Sequence, residues 1–139
     1  MSGLVEVLYP VPNLRRNTLS TVRWWESRRM VFNKAVGGTG LVTLAGISFF
    51  AALPPHSSIV PLPMLVAGAI VYGVMANVCY SLGWMTELLA RRVWGRSAPD
   101  LGPLLFRQGL IFSVGLTLFP VLLMALLWIA RTLAWMLGW

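Results

Sequence analysis

Three long apolar segments, separated by short breaks rich in proline, glycine or charge, dominate the pattern of this chain. They cover about residues 30–53, 62–84 and 104–130. Each is longer than the roughly 20 mainly apolar residues that a helix needs to cross the hydrocarbon core of a bilayer. Because the chain has 139 residues, little of it remains for a soluble domain. The pattern predicts an all-α protein whose residues 30–139 form a three-helix transmembrane domain.

The segment before the first span divides into two parts. Residues 1–17 contain two prolines, and because proline fixes φ and disfavours helix at the preceding residue, we expect an extended tail here. Residues 18–29 carry apolar residues at helical spacing and are predicted to be an interfacial amphipathic helix that runs into the first span. Trp24 and Trp25 suit the head-group level of a membrane, where an amphipathic ring has one apolar and one wet side.

The charge balance indicates a membrane surface. Charged residues make up 11% of the chain, against about 25% in a typical soluble domain, and the formal net charge is +7. The basic residues lie beside the apolar spans, where anionic lipid head groups attract each of them by about 1 kcal/mol. We therefore expect anionic lipids, and no nucleic acid, as partners. The residues predicted to lie at the membrane surface are Arg15, Arg16, Arg23, Trp24, Trp25, Arg28, Arg29, Arg91 and Arg92.

The same distribution of charge predicts an orientation. Basic residues are concentrated before the first span and between the second and third, whereas the turn around His56 has no Lys or Arg. By the positive-inside rule the N-terminus lies in the cytoplasm, and three crossings leave the C-terminus outside. The first thirty residues lack the apolar core of a cleavable signal, so the first span is expected to direct insertion. The expected location is the inner (cytoplasmic) membrane of a bacterium, as a multi-pass protein.

Small residues recur within the spans at spacings that place several of them on one helix face. In lipid, glycine and other small residues let a second helix approach closely. The amide of Asn77 lies deep in the second span, so it is expected to face protein rather than lipid. The residues predicted to pack against helices of this chain or of a partner are Gly37, Gly38, Ala69, Gly73, Asn77, Gly109, Ser113 and Thr117.

Residues suited to catalysis or metal binding are few. The chain has one cysteine, Cys79, which excludes a cysteine-based zinc site, and its single histidine, His56, has no companion ligand nearby. Glu26 and Glu87 have arginines three or four residues away and are predicted to form ordinary helical ion pairs. We therefore expect no enzyme, no catalytic or metal site and no intrinsic cofactor. Pigments or lipids at the helix surface are expected only through partners.

Two sequence runs carry a resemblance. Residues 23–33 (RWWESRRMVFN) resemble a W-W-E-x-R-R-x-x-[FY]-N run, and residues 77–88 (NVCYSLGWMTEL) resemble N-x-C-Y-x-L-G-W-x-x-E-L. Both runs are similar to those of small bacterial integral membrane proteins with no assigned activity. The match covers the first two spans and less of the third, and it implies a shared fold alone. A narrower resemblance is to accessory subunits of photosynthetic reaction-centre and light-harvesting complexes.

These observations lead to one expected function and one alternative. The expected function is a non-catalytic accessory subunit that packs against other subunits of a larger membrane complex, photosynthetic or respiratory. The alternative is a small oligomeric transporter or channel, since three short helices cannot enclose a pathway alone. Neutral residues at the middle of the spans disfavour this alternative, because transporters usually place ionisable groups or broken helices there.

Overall fold

The computed structural model describes residues 18–55, 57–95 and 101–138, which form three long helices. They are α1 (Thr18–Ala52), α2 (Leu62–Trp94) and α3 (Gly102–Met136). All three are long and apolar enough to cross a membrane, and these ranges contain no strand. The prediction of an all-α protein with three candidate transmembrane helices is confirmed. The predicted extended tail, with Arg15 and Arg16, lies outside the described residues.

Each helix continues beyond its apolar span. α1 and α3 have 35 residues and α2 has 33, so each is about 50 Å long at 1.5 Å per residue, against a hydrocarbon core of about 30 Å. Proline occupies the first turn of α2 and of α3, where its missing N–H costs nothing. α2 ends at Gly95, whose φ of +59° favours glycine and whose N–H bonds the carbonyl of Arg91.

Residues 18–29 form the first turns of α1 without a break before the span. The structure corrects the surface role predicted for Trp25, because this side chain is 2% exposed and points into the bundle. The fully buried Thr21 lies one helical turn earlier and marks the same inward face. The start of α1 therefore belongs to the packed core as well as to the polar end of the protein.

The helices run in alternating directions, and α1 packs mainly on α3. The buried apolar core lies towards the end where α1 begins, and its residues are Trp25, Phe32, Val36, Ala76, Tyr80 and Phe106. Towards the other end, Trp128 donates a hydrogen bond from Nε1 to the carbonyl of Pro54 at 2.9 Å. Between these two ends a space lined by residues of α1, α2 and α3 remains open, and it forms part of the candidate site.

Candidate functional site

A buried carboxylate, that of Glu87 in α2, links the helices at the end where α1 begins. Its Oε2 accepts a hydrogen bond from Nε1 of Trp25 in α1 at 2.8 Å. Its Oε1 accepts hydrogen bonds from Nη2 and Nε of Arg91 in α2, at 2.8 and 3.2 Å. The Glu87 side chain is 0% exposed and that of Arg91 is 22% exposed. The ion pair thus reaches from the interior of the bundle to its surface.

The N-terminus of α3 completes this arrangement, which we call the Glu87 centre (Trp25, Glu87, Arg91 and Gly102). A Cβ added to Gly102 would lie 2.7 Å from Oε2 of Glu87, so only glycine fits without displacement of the carboxylate. The first N–H groups of a helix lack intrahelical partners and carry partial positive charge. No side chain caps α3 at Leu101. Glu87 therefore places negative charge at the positive end of α3.

Aromatic rings surround the Glu87 centre and hold its parts in place. The Trp25 ring makes edge-to-face contacts with Tyr80 at 5.4 Å and with Phe106 at 6.2 Å between centroids. The Tyr80 hydroxyl donates a hydrogen bond to the backbone carbonyl of Trp25. A Cβ on Gly83 would lie 2.8 Å from the Trp25 ring, so α1 and α2 approach closely only because this residue is glycine. These contacts fix the indole N–H against the carboxylate.

The sequence indicated only part of the Glu87 centre. The ion pair between Glu87 and Arg91 was expected from their spacing and is confirmed. Its burial, and the roles of Trp25 and Gly102, were missed because they depend on contacts between helices. The sequence offered two clues. Glu87 stands among apolar residues of the second helix, and a glycine-proline step opens the third.

A second polar cluster lies midway along the helices. The hydroxyl of Thr43 in α1 donates to the carbonyl of Thr117 in α3 at 2.7 Å. The hydroxyl of Tyr72 in α2 lies 2.6 Å from Oγ1 of Thr117 and 3.1 Å from the carbonyl of Ser113. Each helix thus contributes a hydroxyl to one hydrogen-bonded cluster. These groups satisfy one another, as polar groups in a hydrocarbon environment must.

A long, mainly apolar groove separates α1 from α2 beyond the Glu87 centre; we call it the α1–α2 groove. Its outer section has a volume of about 740 Å³ and lies between Arg29 and the face of α2 from Ala69 to Met85. Its inner section has a volume of about 670 Å³ and is floored by Thr117 and Pro120 of α3. The two sections adjoin along α2, where Ala69, Gly73 and Asn77 line both.

Most residues predicted to pack against a helix of this chain or of a partner line this groove. The groove-lining members of that set are Gly37, Ala69, Gly73, Asn77 and Thr117. A Cβ on Gly37 or Gly73 would meet nothing within 4 Å. The amide of Asn77 donates to the carbonyl of Gly73 in its own helix at 3.0 Å and not across to another helix. The face of α2 that carries Ala69, Gly73 and Asn77 therefore lines open space and does not pack against another described helix.

The other predicted packing residues divide between the interior and the outer surface. The carbonyl of Ser113 takes part in the hydroxyl cluster, beside the buried Thr117. Gly38 and Gly109 are exposed, and a Cβ on either would meet nothing within 4 Å. By contrast, Gly46 packs closely, because its Cβ would lie 2.9 Å from Val121 of α3. Spacing along the sequence did not show which of these glycines pack against another helix and which are exposed.

The residues predicted to lie at the membrane surface fall into two groups, those that are exposed and those that contact aromatic rings. Arg23 and Arg92 are exposed. The Arg28 guanidinium lies 3.9 Å from the ring centroid of Trp24 and donates to the backbone carbonyl of that residue. Trp24 itself is half-buried and contacts Phe106 edge to face. The basic end of the bundle is therefore partly fixed by contacts with aromatic rings.

Arg29 occupies a different position, at the mouth of the α1–α2 groove. Its Nη2 donates to Oε1 of Glu26 at 2.7 Å, which confirms the helical ion pair predicted for Glu26, and to Oγ of Ser81 in α2 at 3.2 Å. Its guanidinium also lies 5.3 Å from the ring centroid of Tyr80. These contacts hold the Arg29 guanidinium between α1 and α2 at the mouth of the groove.

The geometry of these groups suits structural and binding roles. The Glu87 carboxylate and the hydroxyl cluster are engaged in hydrogen bonds between helices. Among residues 18–55, 57–95 and 101–138, no three His, Cys, Asp or Glu side chains lie together in a way that could hold a metal ion. Comparison of the chain with known protein families, curated proteins and solved structures finds no match.

Proposed function

We propose that this protein is a non-catalytic accessory subunit that packs against other subunits of a larger complex, photosynthetic or respiratory, in a bacterial inner membrane. The main support is the division among its glycines. Gly46, Gly83 and Gly102 each meet a side chain of another helix within 3.0 Å of an added Cβ. Gly38 and Gly115 are exposed and meet nothing within 4 Å. Outward glycines of this kind favour close contact with helices of a second protein.

The energetics of glycine explain why open positions support this proposal. Glycine in a helix costs about 0.5–1 kcal/mol relative to alanine. In membranes, small residues offset that cost by allowing helix backbones to approach and gain dispersion contacts. At Gly38 in α1 and Gly115 in α3 this chain supplies no such contact. A partner helix would supply it.

The proposed orientation places the Glu87 centre towards the cytoplasm. The basic residues near the start of α1 and the end of α2 lie at this end, and the positive-inside rule assigns such an end to the cytoplasm. Reporter fusions at Gly95, Ser57 and Gly138 test this arrangement. Cytoplasmic activity is expected only at Gly95, and cytoplasmic activity at Gly138 would contradict it.

The proposed function is tested by co-purification of the tagged full chain from its own membranes in digitonin. We expect stoichiometric membrane subunits that are lost with Gly38→Leu or Gly115→Leu, while the variant remains inserted and helical. Val42→Leu, at an exposed position of α1, is the matched control and should retain them. Recovery of only a homo-oligomer would overturn the proposal and favour the transporter or channel alternative.

A further inference from the structure

We propose that the α1–α2 groove binds one anionic phospholipid, with its phosphate at Arg29 and one acyl chain lying along α2. This inference goes beyond the accessory role and does not depend on it, because the groove is separate from the outward positions Gly38 and Gly115. Three features support it: a fixed cation at the mouth of the groove, the charge around that cation, and the length of the groove.

Arg29 is placed to receive a phosphate. Its guanidinium is held by Glu26, Ser81 and Tyr80, and 32% of its side chain is exposed. Both side-chain hydrogen bonds come from Nη2, and Nε is buried, so the donors left for a ligand are those of Nη1. The guanidinium therefore retains capacity to donate to a phosphate oxygen, and arginine is well suited to this contact.

The charge of the surroundings favours an anionic head group. From Thr18 to Lys34, α1 carries three arginines and one lysine against the single acidic residue Glu26. Glu26 is paired with Arg29, which leaves an excess of positive charge on this end of the helix. Each basic residue near an anionic membrane surface contributes about 1 kcal/mol of attraction. A net negative phospholipid complements this end better than a zwitterionic one.

The groove below Arg29 matches an acyl chain in length and character. From Ser81 to Ala69 the helix rises about 18 Å, and one leaflet of the hydrocarbon core is about 15 Å thick. The outer section of the groove has a volume of about 740 Å³ and is lined mainly by apolar side chains of α2, among them Ile70, Val74 and Val78.

Gly73 keeps the groove open along this path. It lines both sections of the groove, and a Cβ there would meet no atom of the chain within 4 Å. A leucine at this position would occupy the space assigned to the acyl chain without a clash at its Cβ with the protein's own helices. Gly73→Leu therefore separates loss of lipid binding from loss of folding.

The test is native mass spectrometry of the full chain after reconstitution in nanodiscs of equal phosphatidylglycerol and phosphatidylcholine and release in mild detergent. We expect one retained phosphatidylglycerol per chain, reduced at least fivefold by Arg29→Gln and by Gly73→Leu. The matched control Arg23→Gln, an exposed arginine outside the groove, should retain it. Helix content by circular dichroism should be unchanged in all three variants.

Other outcomes would overturn the proposal. Equal loss in Arg23→Gln and Arg29→Gln would indicate unspecific attraction of surface lipid. Displacement by millimolar inorganic phosphate, with no acyl-chain requirement, would indicate a free-anion site. Retention of phosphatidylglycerol by the helical Gly73→Leu variant would show that the groove does not hold the chain. A protein segment cross-linked at Val74 in native membranes would identify a partner helix as the occupant.

Discussion

The Glu87 centre and the α1–α2 groove lie next to each other and use the same residue type for opposite purposes. At the Glu87 centre, Gly83 and Gly102 allow neighbouring helices to press against Trp25 and Glu87. Along the groove, Gly37 and Gly73 leave space that no atom of the chain fills. Glycine thus allows close helix contact at the Glu87 centre and leaves open space along the α1–α2 groove.

The two regions also differ in how their polar groups are treated. Glu87 is fully buried, and its charge is balanced by Arg91, by the indole of Trp25 and by the start of α3. Arg29, at the mouth of the groove, remains partly exposed, and both of its side-chain hydrogen bonds come from Nη2. Removal of one partner from a buried pair is much more costly than removal of one from an exposed pair. Substitutions should therefore act very differently in the two regions.

The largest effect is expected for Glu87→Ala. It leaves Arg91 without its buried counter-charge and the Trp25 indole without its acceptor, so we expect a loss of about 3–5 kcal/mol in the free energy of unfolding. Thermal unfolding in detergent, followed by circular dichroism, measures this. Glu26→Ala is the matched control, because its side chain is 47% exposed and its ion pair should contribute about 0–1 kcal/mol. Equal effects would mean that the Glu87 centre does not hold the bundle together.

An intermediate effect is expected for Gly102→Ala. The added methyl group would overlap Oε2 of Glu87 and push the start of α3 away, at a cost of about 1–3 kcal/mol. Gly109→Ala in the same helix meets nothing and should be neutral or stabilise the helix by about 0.5–1 kcal/mol. The two melting temperatures should move in opposite directions or differ clearly. A tolerated alanine at Gly102 would show that α3 does not depend on close contact with the carboxylate.

A small effect is expected for Thr43→Val, at the hydroxyl cluster on the floor of the groove. The change keeps the shape of the side chain and removes the hydrogen bond to Thr117, and such bonds contribute about 0.6 kcal/mol in membranes. Thr39→Val is the control, since its hydroxyl bonds only the carbonyl of Ala35 in its own helix. A double-mutant comparison with Tyr72→Phe measures the coupling between the two sides of the cluster, and full additivity would contradict a shared network.

The helices could be predicted from the sequence because the bilayer constrains them so strongly. Apolar length alone located all three, and proline and glycine marked the breaks between them. The rotation of each helix about its axis could not be predicted in the same way. Gly46 and Gly38 lie on one helix, yet only Gly46 meets α3. That difference is set by packing between helices, which four-residue spacing does not encode.

In the candidate sites, too, contacts within one helix could be predicted from the sequence, whereas contacts between helices could not. The pairing of Glu87 with Arg91 follows from one helical turn and was predictable. The hydrogen bond from Trp25 joins residues 62 positions apart, and no local pattern indicates it. The groove was missed because the spacing of residues such as Ala69 and Gly73 predicted a packing face, whereas in the structure these residues line an open space.

The pairing of Glu87 with Arg91 inside one helix also has a consequence for biogenesis. Both residues are present as soon as α2 has formed, before α3 has been synthesised. An isolated charge is costly within a membrane, but here an arginine one helical turn away can pair with the carboxylate while α2 is inserted. Trp25 and the first residues of α3 can then dock on an acceptor whose charge is balanced. The order of synthesis along the chain is therefore compatible with the burial of this acid at every step.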